Sequence, residues 1–149
     1  MPRLHDTTLV HRSVEQTRAG LKRFFLLLRG KDGVARMRLR VPTDGARNGY
    51  AISLDREVRV EAHSARNEGN DDSIRIAWIP EGTMVFPTFE GRLLVRDESD
   101  PGVSRIELDG TYAPPFGAAG QLFDVTIGRR IAEATAREFL KDLKASVEG

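Results

Sequence analysis

Apolar and polar side chains alternate with two different periods along the chain, and each change of period marks a predicted element. Thr7–Gln16 is rich in Thr and Val and is predicted to be a strand with its apolar side chains on one face. A helical period follows, because four apolar side chains recur at spacings of three and four, at Leu21, Phe24, Phe25 and Leu28. Gly30 is expected to end this amphipathic helix.

The middle of the chain returns to a period of two, which is typical of strands with one buried face. Five such segments are predicted, at Val34–Val41, Glu57–His63, Ile74–Trp78, Met84–Asp97 and Val103–Ala113. Pro87 is expected to mark an edge or a bulge near the start of the fourth segment. In the second segment, the phase expected to face solvent contains Glu57, Arg59, Glu61 and His63.

A long helical pattern closes the chain, from Leu122 to Val147. Its apolar stripe comprises Val125, Ala132, Ala136, Phe139, Leu143 and Val147. The order of one strand, one helix, five strands and a long helix is an α+β pattern, in which antiparallel strands are covered by helices on one face. With 149 residues, the sequence is predicted to form a single domain over residues 1–149.

Composition excludes several kinds of chemistry. The chain has no cysteine, which rules out disulfides, thiolate zinc sites, iron–sulfur clusters and a cysteine nucleophile. A formal net charge of +1 argues against a dedicated binder of polyanions. The basic stretch Arg29–Arg40 lacks interleaved aromatic residues, so it is interpreted as a solvated strand face and no nucleic-acid partner is predicted. The longest apolar run, Phe24–Leu28, is too short to span a bilayer, and we expect a soluble cytoplasmic protein.

The last third of the sequence resembles the START-like superfamily, also described as polyketide cyclase-like or helix-grip domains. The residues that carry the resemblance are Leu108-Asp109-Gly110-Thr111-Tyr112-Ala113-Pro114-Pro115-Phe116-Gly117, followed by Gly120 and the long Ala-rich helix. The resemblance implies a curved antiparallel sheet wrapped around a long C-terminal helix. The sequence departs from the family in one respect, because only one clear helix follows the first strand where the family usually has two short ones.

A long helix laid over a strongly curved sheet leaves a gap that neither surface fills, and this hollow is the candidate ligand site. Gly110, inside a strand, is expected to permit close approach of another backbone, which we assign to the long helix. The residues predicted to line the hollow are Trp78, Phe89, Leu93, Leu108, Tyr112 and Phe123. The alternative interpretation is that these side chains are ordinary core.

No motif in the sequence indicates a metal, a cofactor or a catalytic site. The three histidines, His5, His11 and His63, lack the spacing of metal ligands, and neither a nucleophile elbow nor a phosphate-binding glycine loop is present. Glu90 and Arg92 are expected to face solvent. They would form an inward acid–base pair only if a bulge near Pro87 shifted the pleat.

We therefore predict that the chain binds a small hydrophobic or amphipathic molecule between the sheet and the C-terminal helix. One alternative is an aromatase/cyclase-like enzyme acting on a polyketide-type substrate, with Glu90, Arg92 and Tyr112 as its candidate groups. A second alternative is an interaction module or homodimer with a filled cavity, which uses the sheet edge or the helix at Leu21–Leu28. The sequence leaves the ligand, any catalysis and the oligomeric state open.

Overall fold

The structure is a computed structural model, and it describes residues 2–43, 52–66, 72–80, 88–113 and 125–149. Within these ranges, six strands and two helices follow one another. The elements are β1 (Arg3–Val10), α1 (Val14–Leu28), β2 (Ala35–Thr43), β3 (Ile52–Arg66), β4 (Asp72–Pro80), β5 (Thr88–Asp97), β6 (Ser104–Ala113) and α2 (Val125–Glu148).

All six strands form one antiparallel sheet in the order β1-β6-β5-β4-β3-β2. The two strands that flank α1 along the chain, β1 and β2, therefore lie at opposite edges of the sheet. Helix α2 contacts both of these edge strands, which requires the sheet to curl around it. This arrangement confirms the predicted α+β class and the helix-grip architecture.

The boundary between β1 and α1 was predicted wrongly. The strand runs from Arg3 to Val10, and the residues from Val14 onward are helical. The helix begins there because Ser13 and Gln16 form a capping box: the Gln16 backbone N–H donates to Ser13 Oγ at 3.2 Å, and the Ser13 N–H donates to Gln16 Oε1 at 3.1 Å. Residues 11–34 contain this one helix, as the sequence indicated.

The remaining boundaries agree with the prediction to different degrees. Strand β3 extends well beyond Glu57–His63 at both ends, whereas β6 begins one residue later than predicted. The predicted start of the fourth segment at Met84, the expected bulge at Pro87 and the predicted helix start at Leu122 lie outside the described residues.

The two faces of the sheet differ sharply in polarity. Inward-facing positions form one buried cluster with α1 and α2, including Val58, Ile76, Leu93, Ile106 and Leu143. The outward phase of β3 is exposed at every position predicted to be so, namely Glu57, Arg59, Glu61 and His63. Within the described residues, neither helix combines the length and apolar content needed to cross a membrane.

Gly110 does permit a close backbone approach, but its neighbour is a strand and not the long helix. Gly91 of β5 lies directly opposite Gly110 in the register. A Cβ added at Gly110 would lie 2.6 Å from the Gly91 Cα and 2.7 Å from the Phe89 Cζ. The prediction that the long helix approaches here was therefore wrong. The pair lets two strands come together with the Phe89 ring lying over them.

Helix α1 is joined to β6 by a buried hydrogen bond and packs against α2 through a glycine. Thr17 of α1 and Ser104 of β6 are both fully buried, and their hydroxyl groups are hydrogen-bonded at 2.7 Å. A Cβ added at Gly20 of α1 would come within 3.0 Å of the Val147 side chain of α2. Position 20 therefore allows α1 to lie close to α2 where both cover the sheet.

Candidate functional site

Three aromatic side chains lie side by side across the middle of the sheet. Trp78 of β4 is paired in register with Phe89 of β5, which is paired with Tyr112 of β6. Because paired residues point to the same face of a sheet, the three rings share the inner face beneath α2. Each of the three residues is at most 4% exposed. We call Trp78, Phe89 and Tyr112 the aromatic row.

The aromatic row is connected to α2 through ring contacts. The Trp78 and Phe89 rings are stacked, with centroids 4.4 Å apart and an interplanar angle of 21°. Phe139 of α2 meets Trp78 edge-on at 5.4 Å and 63°. Both arrangements are favourable for aromatic pairs. In the described residues, these rings occupy the space between the centre of the sheet and the helix.

The structure brings five of the six predicted site residues together. Leu93 and Leu108 are paired in register on the same inner face as the aromatic row, with the Gly91–Gly110 pair between them and it. Both leucines are at most 1% exposed and belong to the cluster that contains Phe139. The sixth predicted residue, Phe123, lies outside the described residues.

Burial affects the two polar groups of the aromatic row, the Trp78 indole N–H and the Tyr112 hydroxyl. The indole N–H of Trp78 is buried and has no hydrogen-bond acceptor among the described residues. The Tyr112 hydroxyl faces α2, where burial raises its pKa above the ordinary value of 10.0. The positive charge of Arg129 lowers this pKa and the negative charge of Glu133 raises it, both to a smaller extent than burial. A buried donor without an acceptor is costly, so the site favours a partner that brings one.

A groove of about 710 Å³ opens on the sheet beside the C-terminal half of α1. It exists because the described pairing of β2 with β3 ends at Ala35 and Val60, and β3 continues to Arg66 without β2 beside it. The floor is apolar, and the rim carries cations. The apolar lining residues are Phe25, Leu26, Val34, Ala35, Val60, Ala62 and Ile74. The charged or titratable ones are Lys22, Arg29, Arg59, Glu61 and His63.

The sequence analysis did not predict this groove. It depends on how far β3 extends past the first residue of β2, and strand register is not visible in a pattern of period two. The signal that was available is the short connection after α1. This connection contains Gly30 and Gly33 and leads into β2 at Ala35, so β2 does not lie beside the last residues of β3.

The acid–base groups considered for an enzyme lie on the other face of the sheet. Glu90 and Arg92 are exposed and line a second cavity of about 540 Å³ on the outer surface, together with the ion pair between Arg3 and Asp109. The inward-facing alternative for Glu90 and Arg92 is therefore wrong. Tyr112, the third candidate of that hypothesis, faces inward and is separated from them by the sheet.

The histidines are dispersed over the described surface. His5 is hydrogen-bonded to Glu107 at 3.1 Å, and His11 approaches Glu148 at 3.4 Å. His63 lines both the groove and the outer cavity. Across the residues that the structure describes, no three histidine, aspartate or glutamate side chains are grouped so as to hold a metal ion.

Comparison with known proteins supports the fold and leaves the function open. The chain resembles TTHA0849 from Thermus thermophilus, with 16% identity over 98% of this chain and 97% of that one, at a TM-score of 0.55. A START superfamily protein from Mycobacterium smegmatis matches over the same shares with 16% identity and a TM-score of 0.49. No protein-family model and no curated protein sequence matches the chain. At this level of identity, the likeness to TTHA0849 concerns the fold alone.

Proposed function

We propose that the chain binds a small apolar or amphipathic molecule between the inner face of the sheet and its helices. In this proposal the ligand enters from the groove beside α1 and lies against the aromatic row and the two leucines, where it separates α2 from the rings that the helix contacts. The contacting residues in this proposal are Trp78, Phe89, Leu93, Leu108, Tyr112 and Phe123.

The observation that carries the proposal is the Trp78 indole N–H, which is buried without an acceptor among the described residues. The two rings that contact Trp78 belong to Phe89 and Phe139, and neither offers an acceptor oxygen. A ligand with a carbonyl, hydroxyl or carboxylate oxygen would supply the missing acceptor, while its apolar part would bury surface at about 25 cal/mol per Å². The groove beside α1 supports the same proposal, because its volume lies within the range of small-molecule sites.

The test uses dodecanoate and dodecanol as probes, since they share an apolar chain and differ in the charge of the acceptor group. Trp78 is the sole tryptophan of the chain, so a ligand beside it is expected to change the intrinsic fluorescence. Both probes are also expected to raise the melting temperature, because a molecule that binds only the folded state stabilises it. Native mass spectrometry of the freshly purified protein is expected to reveal a bound small molecule.

Two variants locate the ligand. Trp78→Phe keeps a ring in the stack and removes the unpaired donor, so it is expected to weaken probe binding about tenfold while changing the free energy of unfolding by no more than about 1 kcal/mol. Ile79→Ala, at the next position on the outer face, is the matched control and is expected to leave affinity unchanged. The proposal fails if neither probe shifts the melting temperature and no molecule accompanies the purified protein.

A further inference from the structure

The C-terminal half of α1 carries an exposed surface that combines leucine and cationic side chains. Leu26 and Leu27 are 63% and 74% exposed, which makes them the most exposed large apolar residues that the structure describes. Four exposed cations surround them. We call this set the α1 basic surface; it comprises Lys22, Arg23, Leu26, Leu27, Arg29 and Lys31.

Helix geometry places the cations directly around the leucines. Arg23 lies three residues before Leu26 and four before Leu27, so it is adjacent to both on the helix surface. Lys22 and Arg29 are the neighbours of Leu26 at i−4 and i+3. The chain then turns tightly, since the Gly33 N–H donates to the Gly30 carbonyl at 3.0 Å, and Lys31 stays at this end of the helix.

The cations of the α1 basic surface have no carboxylate partner in the part of the chain that the structure describes. Within the described residues, none of the four has a carboxylate within ion-pair distance. The nearest acid in sequence, Asp32, is paired with Arg36 at 2.9 Å. The chain as a whole has a net charge of only +1, so outside these four residues it is net negative. The positive charge is therefore concentrated around the exposed leucines.

We propose that the α1 basic surface docks on an anionic lipid bilayer, with Leu26 and Leu27 inserted among the headgroups and the four cations at the lipid phosphates. Exposed leucines flanked by lysine and arginine are what an interfacial helix needs, because apolar burial and attraction to anionic lipid then act together. A second copy of this chain is disfavoured as the occupant, since a twofold contact through this surface would bring the same cations face to face.

The groove gives this docking surface a consequence for ligand exchange. Lys22, Leu26 and Arg29 belong to the α1 basic surface and also line the groove beside α1. When Leu26 is inserted, the mouth of the groove lies at the bilayer surface, where an amphipathic molecule could pass between lipid and protein. Docking on a bilayer depends only on the exposed side chains of the α1 basic surface. It can therefore be tested independently of the proposed ligand site beneath α2.

Vesicle co-sedimentation tests the docking with the full chain. Phosphatidylcholine vesicles containing about one third phosphatidylglycerol are expected to bind the protein, and phosphatidylcholine alone is expected to bind it at least about tenfold more weakly. Binding to the anionic vesicles is expected to be much weaker at about 0.3 M NaCl than at about 0.05 M, because the Debye length falls from about 14 Å to about 6 Å. Equal binding to both vesicles, or no binding to either, would overturn the proposal.

Matched variants separate the two parts of the surface. Arg23→Gln is expected to lower the partition coefficient about fivefold, and Leu26→Ser combined with Leu27→Ser about tenfold or more. The controls are Arg92→Gln on the outer face, and Leu9→Ser combined with Ile79→Ser, which changes the other two exposed large apolar side chains of the described residues. The proposal is wrong if the controls reduce binding as much as the surface variants, or if sedimentation velocity shows that the leucine pair instead holds a dimer together.

Discussion

Two parts of the same sheet face are covered in different ways. Beneath α2, the aromatic row is sealed, with Trp78 only 1% exposed and its ring stacked on that of Phe89. Beside α1, the inner face at Val60, Ala62 and Ile74 forms the floor of an open groove. Both areas are apolar and belong to adjacent strands, so the composition of the sheet does not cause the difference.

The difference arises from what the helix above each area supplies. Helix α2 presents Phe139, Leu140 and Leu143, all at most 2% exposed, toward the sheet. Helix α1 ends at Leu28 and points Leu26 and Leu27 away from the core. The curved sheet is therefore closed where α2 places large side chains against it and open where α1 ends, which separates a closely packed area from an accessible one.

The largest expected effect is the loss of a ring from the sealed area. Phe139→Ala removes the edge-on partner of Trp78 and leaves a cavity under α2, so the free energy of unfolding should fall by about 4 kcal/mol in denaturant titrations. The new apolar cavity should also bind benzene, detected as a benzene-dependent rise in melting temperature. A loss below about 1 kcal/mol would mean that this area is not tightly packed.

The second effect concerns the floor of the sealed area. Gly110→Ala places a Cβ 2.7 Å from the Phe89 Cζ and against the Gly91 backbone, so β5 and β6 must separate. We expect a loss of about 3 kcal/mol in stability. Gly102→Ala in the β5–β6 turn is the matched control, because its Cβ would meet nothing closer than 3.4 Å. Equal small losses for both would show that the glycine pair is not required.

A smaller effect is expected from the Tyr112 hydroxyl. Its pKa in the folded state is raised above 10.0, chiefly by burial. The unfolded chain therefore loses this proton first as pH increases, and stability should be undiminished below pH 10 and decline above it. Tyr112→Phe should remove this part of the decline in a series of melts at increasing pH. If the decline in stability above pH 10 were the same in Tyr112→Phe as in the original protein, the hydroxyl would be as solvent-exposed in the folded state as in the unfolded state.

The smallest effect is expected in the open area. Val34 lines the groove and is only half-buried, so Val34→Ala should lower the free energy of unfolding by about 0.5 kcal/mol. The measurement is the same denaturant titration as for Phe139→Ala. A loss comparable with that of Phe139→Ala would remove the distinction between the sealed and open areas.

Much of the sealed area could be predicted from sequence, because it depends on local periodicity. Alternation placed each of Trp78, Phe89 and Tyr112 on the apolar face of its own strand, and the pairing of β4, β5 and β6 brings these faces together. The start of α1 was missed although Ser13 and Gln16 carry the capping box, because the Thr- and Val-rich pattern was extended past Val10. The open groove and the partner of Gly110 depend on the register between consecutive strands, β2 with β3 and β5 with β6, which the period-two pattern does not specify.

The pairing of β1 with β6 also determines when this sheet can be completed during synthesis. Arg3 and Asp109, which join the two strands through an ion pair, are 106 positions apart. At ribosomal speeds of roughly 5 to 20 residues per second, β1 is synthesised about 5 to 20 seconds before its partner strand. During that interval the backbone of β1 lacks β6 as its hydrogen-bonding partner. The sheet can therefore be completed only late in synthesis.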